Sequence, residues 1–266
     1  MKPKNLKRKN LDRRRFLIGG LGLGGALALG GCSRFAATRS GQDALQAGDD
    51  ATKFVQRLLL TPQTLAPEFP KSAISASFYA NGSTDPDDAT YKTLAANQFA
   101  DYRLKIGGLV DTPFDISLAE LRALPARTQI TRHDCVEGWS AIGQWTGAPL
   151  SALLERAKLK PEARYVVFRC FDTMDSGDLG STPPHYYETV DLVDAYHPQT
   201  ILAYEMNGAT LGVPHGAPLR LRVERQLGYK MPKYLKSIEV VDSFAAIDGG
   251  TGGYGEDQGY DWYAGI

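Results

Sequence analysis

The chain has few of the residues that build a structural metal site or attach a haem. Its 266 residues include three cysteines and four histidines, and no two cysteines stand in a Cys-x-x-Cys pair. Structural zinc usually needs four closely spaced ligands, and haem attachment needs Cys-x-x-Cys-His, so the composition argues against both. The formal net charge is zero, with 30 basic and 30 acidic residues, so no overall field favours nucleic acid.

The first 32 residues predict an export signal. A basic segment at 1–15 precedes an apolar, Gly-rich run at 16–31 that is too short for a good membrane span. The sequence DRRRFL at 12–17 resembles the twin-arginine motif, whose route exports folded proteins. The sequence LGGC at 29–32 resembles a lipobox, which predicts lipidation of Cys32 and a membrane anchor. An amphipathic or membrane helix that is never cleaved is the alternative.

The rest of the chain predicts a tether followed by one domain. Residues 33–60 lack a sustained apolar period, which predicts a flexible tether. Residues 61–100 contain three early prolines and predict irregular chain. A domain is therefore expected at 61–266, with its core at about 100–243.

The pattern from about residue 102 predicts a mixed, β-rich α+β fold. Ser117 and Glu120 form a capping box that begins a short helix, and Asn207-Gly208 predicts a two-residue hairpin. Strands are expected at 102–110, 129–134, 165–168, 201–205, 219–223 and 238–241, and helical segments at 117–124, 150–159 and 191–196. The aromatic residues in the Gly-rich end at 249–262 predict that this segment packs back on the domain.

Cys135 is the first candidate for chemistry. It follows a predicted strand and precedes Gly138, so we expect its sulfur on a loop at a strand end. Arg132 and His133 could favour its thiolate form. From the residues alone, three roles remain open: a disulfide with Cys170 in an oxidising compartment, a redox-active thiol, or a metal ligand.

Several segments resemble the molybdopterin domain of the sulfite oxidase family. They are HDCVEGWS at 133–140 with WTGAPL at 145–150, PQTILAYEMNG at 198–208, HGAPLR at 215–220 and GYKMPKYL at 228–235. They occur in the order found in the family and span about 100–243. Within the family, the chain is most similar to the bacterial periplasmic methionine-sulfoxide reductases. The resemblance implies the sulfite oxidase-type molybdopterin-binding fold.

The resemblance also implies a molybdenum-molybdopterin cofactor and its binding residues. Cys135 would be the protein ligand of the metal, and the pterin would supply the remaining sulfurs. Residues implied to contact the rest of the cofactor are Tyr79, Ala80, Cys170, His215, Arg220, Met231, Pro232 and Lys233. Arg220 and Lys233 would hold the phosphate. The chain departs from its relatives at Pro232, which has no N–H to donate, and at Ala80, which replaces an acidic residue.

The implied activity is a periplasmic two-electron oxygen-atom transfer, the reduction of a small sulfoxide-like substrate. Without a haem motif, electrons would come from a separate partner such as a membrane b-type cytochrome or a cytochrome c. One alternative is sulfite oxidation, which needs cations around the metal, and only Arg132 and His133 suggest themselves. The other is a metal-free lipoprotein binding module with a Cys135–Cys170 disulfide.

Overall fold

The computed structural model describes residues 34–174 and 184–266, so the predicted export signal with Cys32 lies outside the described residues. The chain divides into two units, residues 1–55 and 56–266. Helix α1 (Arg39–Leu59) occupies most of the predicted tether, so the segment is regular where the lack of an apolar period suggested a flexible one. It contains several Ala, Leu and Gln residues, whose helix propensity is high, and Gly41 is its only buried residue. Within the described ranges, each helix is too short or too polar to cross a bilayer.

The second unit contains two five-stranded sheets. Its strands are β1 (Arg103–Gly108), β2 (Phe114–Ser117), β3 (Arg127–Asp134), β4 (Ser140–Pro149), β5 (Tyr165–Thr173), β6 (His185–Asp191), β7 (Ile201–Met206), β8 (Ala209–Thr210), β9 (Arg220–Arg222) and β10 (Leu235–Val241). One sheet has the order β2-β1-β10-β5-β6, and β1 and β10 are its only parallel neighbours among the described strands. The other has the order β3-β4-β7-β8, with β9 also paired to β7.

The remaining helices are short. They are α2 (Ala89–Ala96), α3 (Leu118–Arg122), α4 (Leu150–Ala157), α5 (Leu192–Ala195) and α6 (Tyr254–Asp257), with 3-10 turns at Lys71–Ala73, Val213–His215 and Gly228–Lys230. Short helices on two largely antiparallel sheets confirm the mixed, β-rich α+β prediction. The capping box of Ser117 and Glu120 is present at the start of α3, and Asn207 and Gly208 both have positive φ in the β7–β8 turn.

Helix α2 corrects the prediction that residues 61–100 are irregular. The side chain of Asp88 caps it by accepting a hydrogen bond from the N–H of Tyr91 at 2.8 Å. Tyr91 is buried in the main core, and its hydroxyl donates to the carbonyl oxygen of Ala217 at 2.7 Å. The helix therefore depends on the burial of Tyr91 in the core. Its eight residues, which follow several prolines, give no local signal of that burial.

The Gly-rich end packs back on the domain, as predicted. The indole Nε1 of Trp262 donates to the hydroxyl of Thr189 at 2.7 Å, and its ring stacks on Phe244 with centroids 5.5 Å apart. Gly253 forms a β-bridge with Glu188 on β6. These contacts carry helix α6 to the edge of the cavity described next.

Candidate cofactor site

A cavity of about 240 Å³ lies where the β3–β4 loop meets residues 78–83, the 228–233 turn and the Gly-rich end. Eight of the nine residues implied by the resemblance line it: Tyr79, Ala80, Cys135, His215, Arg220, Met231, Pro232 and Lys233. The ninth, Cys170, does not line it. The motifs come from four separate parts of the chain, and the fold brings them to one cavity.

The sulfur of Cys135 lies on the β3–β4 loop, at a strand end as predicted. The N–H of Cys135 donates to the carbonyl oxygen of Trp139 at 2.9 Å, and the N–H of Gly138 donates to the carbonyl oxygen of Cys135 at 3.0 Å. These bonds fix the loop backbone. The amide of Asn81 reaches the loop from outside, with Nδ2 at 3.5 Å from the Cys135 sulfur.

Cys170 is a buried residue of β5 whose side chain belongs to the hydrophobic core. Burial raises the pKa of its thiol well above the usual value, so it is a poor nucleophile. Both Cys135 and Cys170 are free thiols, which contradicts the predicted alternative of a Cys135–Cys170 disulfide.

Neither Arg132 nor His133 can stabilise the Cys135 thiolate as a cation, so that expectation was wrong. His133 lines the cavity, but burial and the neighbouring Arg222 and Arg220 lower its pKa to about 2, so its ring is neutral. Arg222 donates to its Nδ1 at 2.9 Å, which leaves the ring proton on Nε2. Arg132 lies outside the cavity lining and pairs with Asp134 at 2.9 Å.

Arg220 on β9 is a buried guanidinium without a carboxylate partner among the described residues. Its Nη1 donates to the carbonyl oxygen of His215 at 3.0 Å, and its Nε has no hydrogen-bond partner. Burial and the nearby Arg222 lower its pKa to about 9. A buried cation with a free donor is costly unless an anion completes it, so Arg220 suits a phosphate.

Lys233 is a second cation whose partners are neutral. Its Nζ donates to the carbonyl oxygens of Asn81 at 2.7 Å, Pro214 at 3.2 Å and Ser83. Burial and Arg220 lower its pKa to about 8. Gly216 permits this packing, because it has a φ of +108° and a Cβ there would lie 2.9 Å from Cβ of Lys233.

Two further cavity residues, Asp172 and Trp139, were missed by the sequence analysis. Each carries a buried polar atom without a partner, Oδ1 of Asp172 and Nε1 of Trp139. Burial raises the pKa of Asp172 to about 7, although Lys233 opposes that rise. The available signal was an acidic residue in the last part of β5, just beyond the predicted buried strand at 165–168.

The fold and the site together define a class of enzyme. Residues 91–246 match the family described as the oxidoreductase molybdopterin binding domain, and the chain belongs to this family. It is a molybdenum-dependent oxidoreductase of the sulfite oxidase family, with a molybdenum-molybdopterin cofactor.

Named relatives give a closer comparison. The chain is 38% identical to a putative protein-methionine-sulfoxide reductase subunit YedZ1 of Azospira oryzae, over 95% of this chain and 87% of the relative. It is 36% identical to the protein-methionine-sulfoxide reductase catalytic subunit MsrP of Xanthomonas axonopodis, over 62% of this chain and 52% of the relative. It thus spans about half the length of the latter. The sulfane dehydrogenase SoxCD of Paracoccus pantotrophus aligns with a TM-score of 0.47 and 24% identity, covering 54% of this chain and 39% of SoxCD.

The residues present fit the cofactor. Phosphate needs cations with directed donors, which Arg220 and Lys233 supply. A pterin carries N–H donors and a carbonyl acceptor. Oδ1 of Asp172 is a buried acceptor suited to those donors, and Nε1 of Trp139 is a buried donor suited to that acceptor, and neither atom has a hydrogen-bond partner. A half-exposed thiol at Cys135 is a suitable soft ligand for the metal.

Proposed function

We propose that this protein reduces a neutral sulfoxide-like substrate by two-electron oxygen-atom transfer at a molybdenum ligated by Cys135. The observation that carries the choice of substrate is the charge of the cavity. In the described lining, Arg220 and Lys233 are the only Arg or Lys residues, and Glu137 and Asp172 supply carboxyl groups. Once phosphate neutralises the two cations, no Arg or Lys remains to bind an anion such as sulfite.

The cavity histidines do not change this charge balance. Burial, and to a smaller extent the charge of Arg220, lowers the pKa of His215, and the pKa of His133 is about 2. Both rings are therefore neutral near pH 7. Two relatives described as methionine-sulfoxide reductase subunits support the same substrate chemistry.

The pterin-bound molybdenum supplies the oxygen-atom and electron chemistry when the cofactor is bound. The chain's own residues bind and orient: Arg220 and Lys233 hold the phosphate, Oδ1 of Asp172 accepts from pterin N–H groups, and Cys135 binds the metal. The aromatic rings of Tyr79 and Tyr260 line the cavity and remain exposed, so they offer apolar surface to a thioether-forming substrate. Two electrons and two protons convert a sulfoxide into a thioether and water.

A comparison of two cysteine variants tests the metal ligand. Protein produced through its native export route is expected to contain about one molybdenum per chain. Cys135→Ser should abolish reduced-dye oxidation by methyl sulfoxides and lose or weaken the metal, because the thiolate ligand is gone. Cys170→Ala, a matched substitution in the core, should retain both. Metal-free wild-type protein that is well folded would contradict the proposal, and sulfite oxidation faster than sulfoxide reduction would reverse its direction.

Export, anchoring and the electron partner are part of the same proposal. The DRRRFL sequence at 12–17 supports twin-arginine export to the periplasm, and LGGC at 29–32 supports a lipid anchor on Cys32. In this arrangement residues 33–60 connect the anchor to a cofactor domain at 61–266, and a separate b-type or c-type cytochrome supplies electrons. Substituting Arg13 and Arg14 by Lys should block export, and Cys32→Ala should release the protein from the membrane fraction. Unchanged export or unchanged membrane binding would refute the respective part.

A further inference from the structure

Asn81 places its side-chain amide against the sulfur of Cys135, with Nδ2 at 3.5 Å from Sγ. We propose that Asn81 is a positioning residue whose amide donates a hydrogen bond to the metal-ligating sulfur and reduces the electron density that this sulfur gives to the metal. The inference rests on the proposed ligation by Cys135. A hydrogen bond to a ligating thiolate favours the reduced metal, because it stabilises charge on the sulfur rather than on the metal.

The direction of the hydrogen bond follows from the two groups. The amide nitrogen carries two donors, whereas a thiolate offers only lone pairs. Within the part of the chain that the structure describes, this is the only side-chain hydrogen bond to the Cys135 sulfur. Asn81 is therefore the candidate for tuning the sulfur.

The backbone that carries Asn81 is fixed by bonds of its own. Nζ of Lys233 donates to the carbonyl oxygens of Asn81 and Ser83, and the hydroxyl of Tyr234 donates to Ser83 at 2.9 Å. Gly82 between them has a φ of +64°, which the bend requires. Anchors on both sides of the bend hold the amide in place before any cofactor binds.

The other end of the hydrogen bond is held independently. The Cys135 N–H is bonded to Trp139 across the loop, and the ring of Trp139 packs edge-on against Tyr79 with centroids 5.6 Å apart. Because Tyr79 lies two residues before Asn81, this contact joins the segment to the loop at a second point. The donor and the sulfur thus approach each other between two fixed backbones. Lys233 consequently links the phosphate end of the site to the metal end.

Three variants separate this role from simple packing. Asn81→Leu keeps the branched arrangement of heavy atoms and removes the donors, and Asn81→Asp places a carboxylate beside the sulfur. The molybdenum-loaded enzyme is titrated under electron paramagnetic resonance, with molybdenum content measured on the same samples. Asn97→Leu, at an exposed asparagine outside the cavity, is the matched control.

The expected order of midpoint potentials is wild type above Asn81→Leu above Asn81→Asp, at unchanged metal content. Loss of the hydrogen bond should change the equilibrium constant for one-electron reduction about tenfold, which corresponds to a fall of about 59 mV. Unaltered potentials in fully loaded Asn81→Leu would overturn the inference. So would a rise in KM alone, which would make Asn81 a substrate contact. If Cys135→Ser leaves the metal's spectrum unchanged, the proposed ligation itself fails, which is a distinguishable result.

Discussion

Lys230 and Lys233 lie three residues apart in one segment, yet the partners of their ammonium groups are opposite in kind. Lys230 is fully buried and pairs with the carboxylates of Glu188 and Glu256. Among the described residues, Lys233 donates hydrogen bonds only to backbone carbonyl oxygens, and Asp172 acts on it through its charge without forming an ion pair. A buried cation that has its counter-charges stabilises structure, whereas one without them is completed by a ligand.

The Lys230 cluster joins two segments that line the cavity. Glu256 lies on α6 beside the cavity residues Tyr254 and Gly255, and Lys230 follows the cavity residue Tyr229. One ammonium faces two carboxyl groups, and burial, opposed by Lys230, raises the pKa of Glu188 well above its usual value. A proton held by Glu188 would make the cluster neutral. The comparison therefore predicts that changes at Lys230 affect stability and changes at Lys233 affect ligand binding.

The largest expected effect is on stability, from Lys230→Met. It leaves two buried carboxyl groups without a cation, and breaking such a pair costs about 3–5 kcal/mol. Denaturant unfolding at pH 7 measures this loss, which should shrink at pH 5, because burial raises the pKa of Glu188 and favours its protonated form there. Lys105→Met, at an exposed position on β1, should change the free energy of unfolding by less than about 0.5 kcal/mol. Equal losses in Lys230→Met and Lys105→Met would show that the ion pairs of Lys230 do not stabilise the fold.

Lys233→Met should mainly weaken cofactor binding. A hydrogen bond to a charged group contributes about 1.5–3 kcal/mol, so the affinity for the cofactor should fall about 10- to 150-fold. The molybdenum and phosphate that remain bound after dialysis measure this loss. Cofactor-free Lys233→Met should lose less stability than Lys230→Met, since it loses hydrogen bonds to carbonyl oxygens but leaves no buried carboxylate without its cation. In the cofactor-free state the pKa of Lys233 is about 8, so phosphate affinity should fall as pH rises through that value. Full cofactor retention by the variant would show that Lys233 is not the anchor.

The sequence predicted features that depend on residues close together in the chain. The family resemblance of the motif at 228–235 singled out Lys233 as a candidate, and local patterns predicted a helix start at Ser117 with Glu120 and a hairpin at Asn207-Gly208. Lys230 stands in the same motif, but its role depends on Glu188 from β6 and Glu256 from α6, 42 and 26 residues away along the chain. No spacing rule brings these three together.

The errors have the same physical origin. His133 was expected to be a nearby cation, but its burial, together with the charge of Arg222 on β9, lowers its pKa and keeps it neutral. Asp172 was missed because its importance comes from burial beside Lys233. Sequence patterns give the residue types of the site, whereas the ionisation of each group depends on contacts between distant strands.

The smallest effect, and the sharpest test of a proton on Glu188, is expected for Glu256→Gln. It leaves one carboxylate for one ammonium, and the new amide can donate to Oε2 of Glu188, which has no partner in the wild type. Because the pKa of Glu188 is raised in the folded protein, its favourable contribution is complete below the unfolded-state pKa, near 4.5, and is lost as pH rises through the folded-state value.

The free energy of unfolding of the wild type should therefore decline between pH 5 and pH 8, and this decline should be absent in Glu256→Gln. At pH 8 the variant should match or exceed the wild type, by about 1 kcal/mol, whereas at pH 5 it should gain nothing. Unfolding curves at both pH values measure the difference, with Glu162→Gln at an exposed position as the control. If Glu256→Gln changes stability equally at both pH values, Glu188 does not hold a proton in the wild type. In that case Lys230 would face two carboxylates, one more than its charge requires. The two lysines would then differ because Lys230 has an excess of negative charge around it and Lys233 has too little.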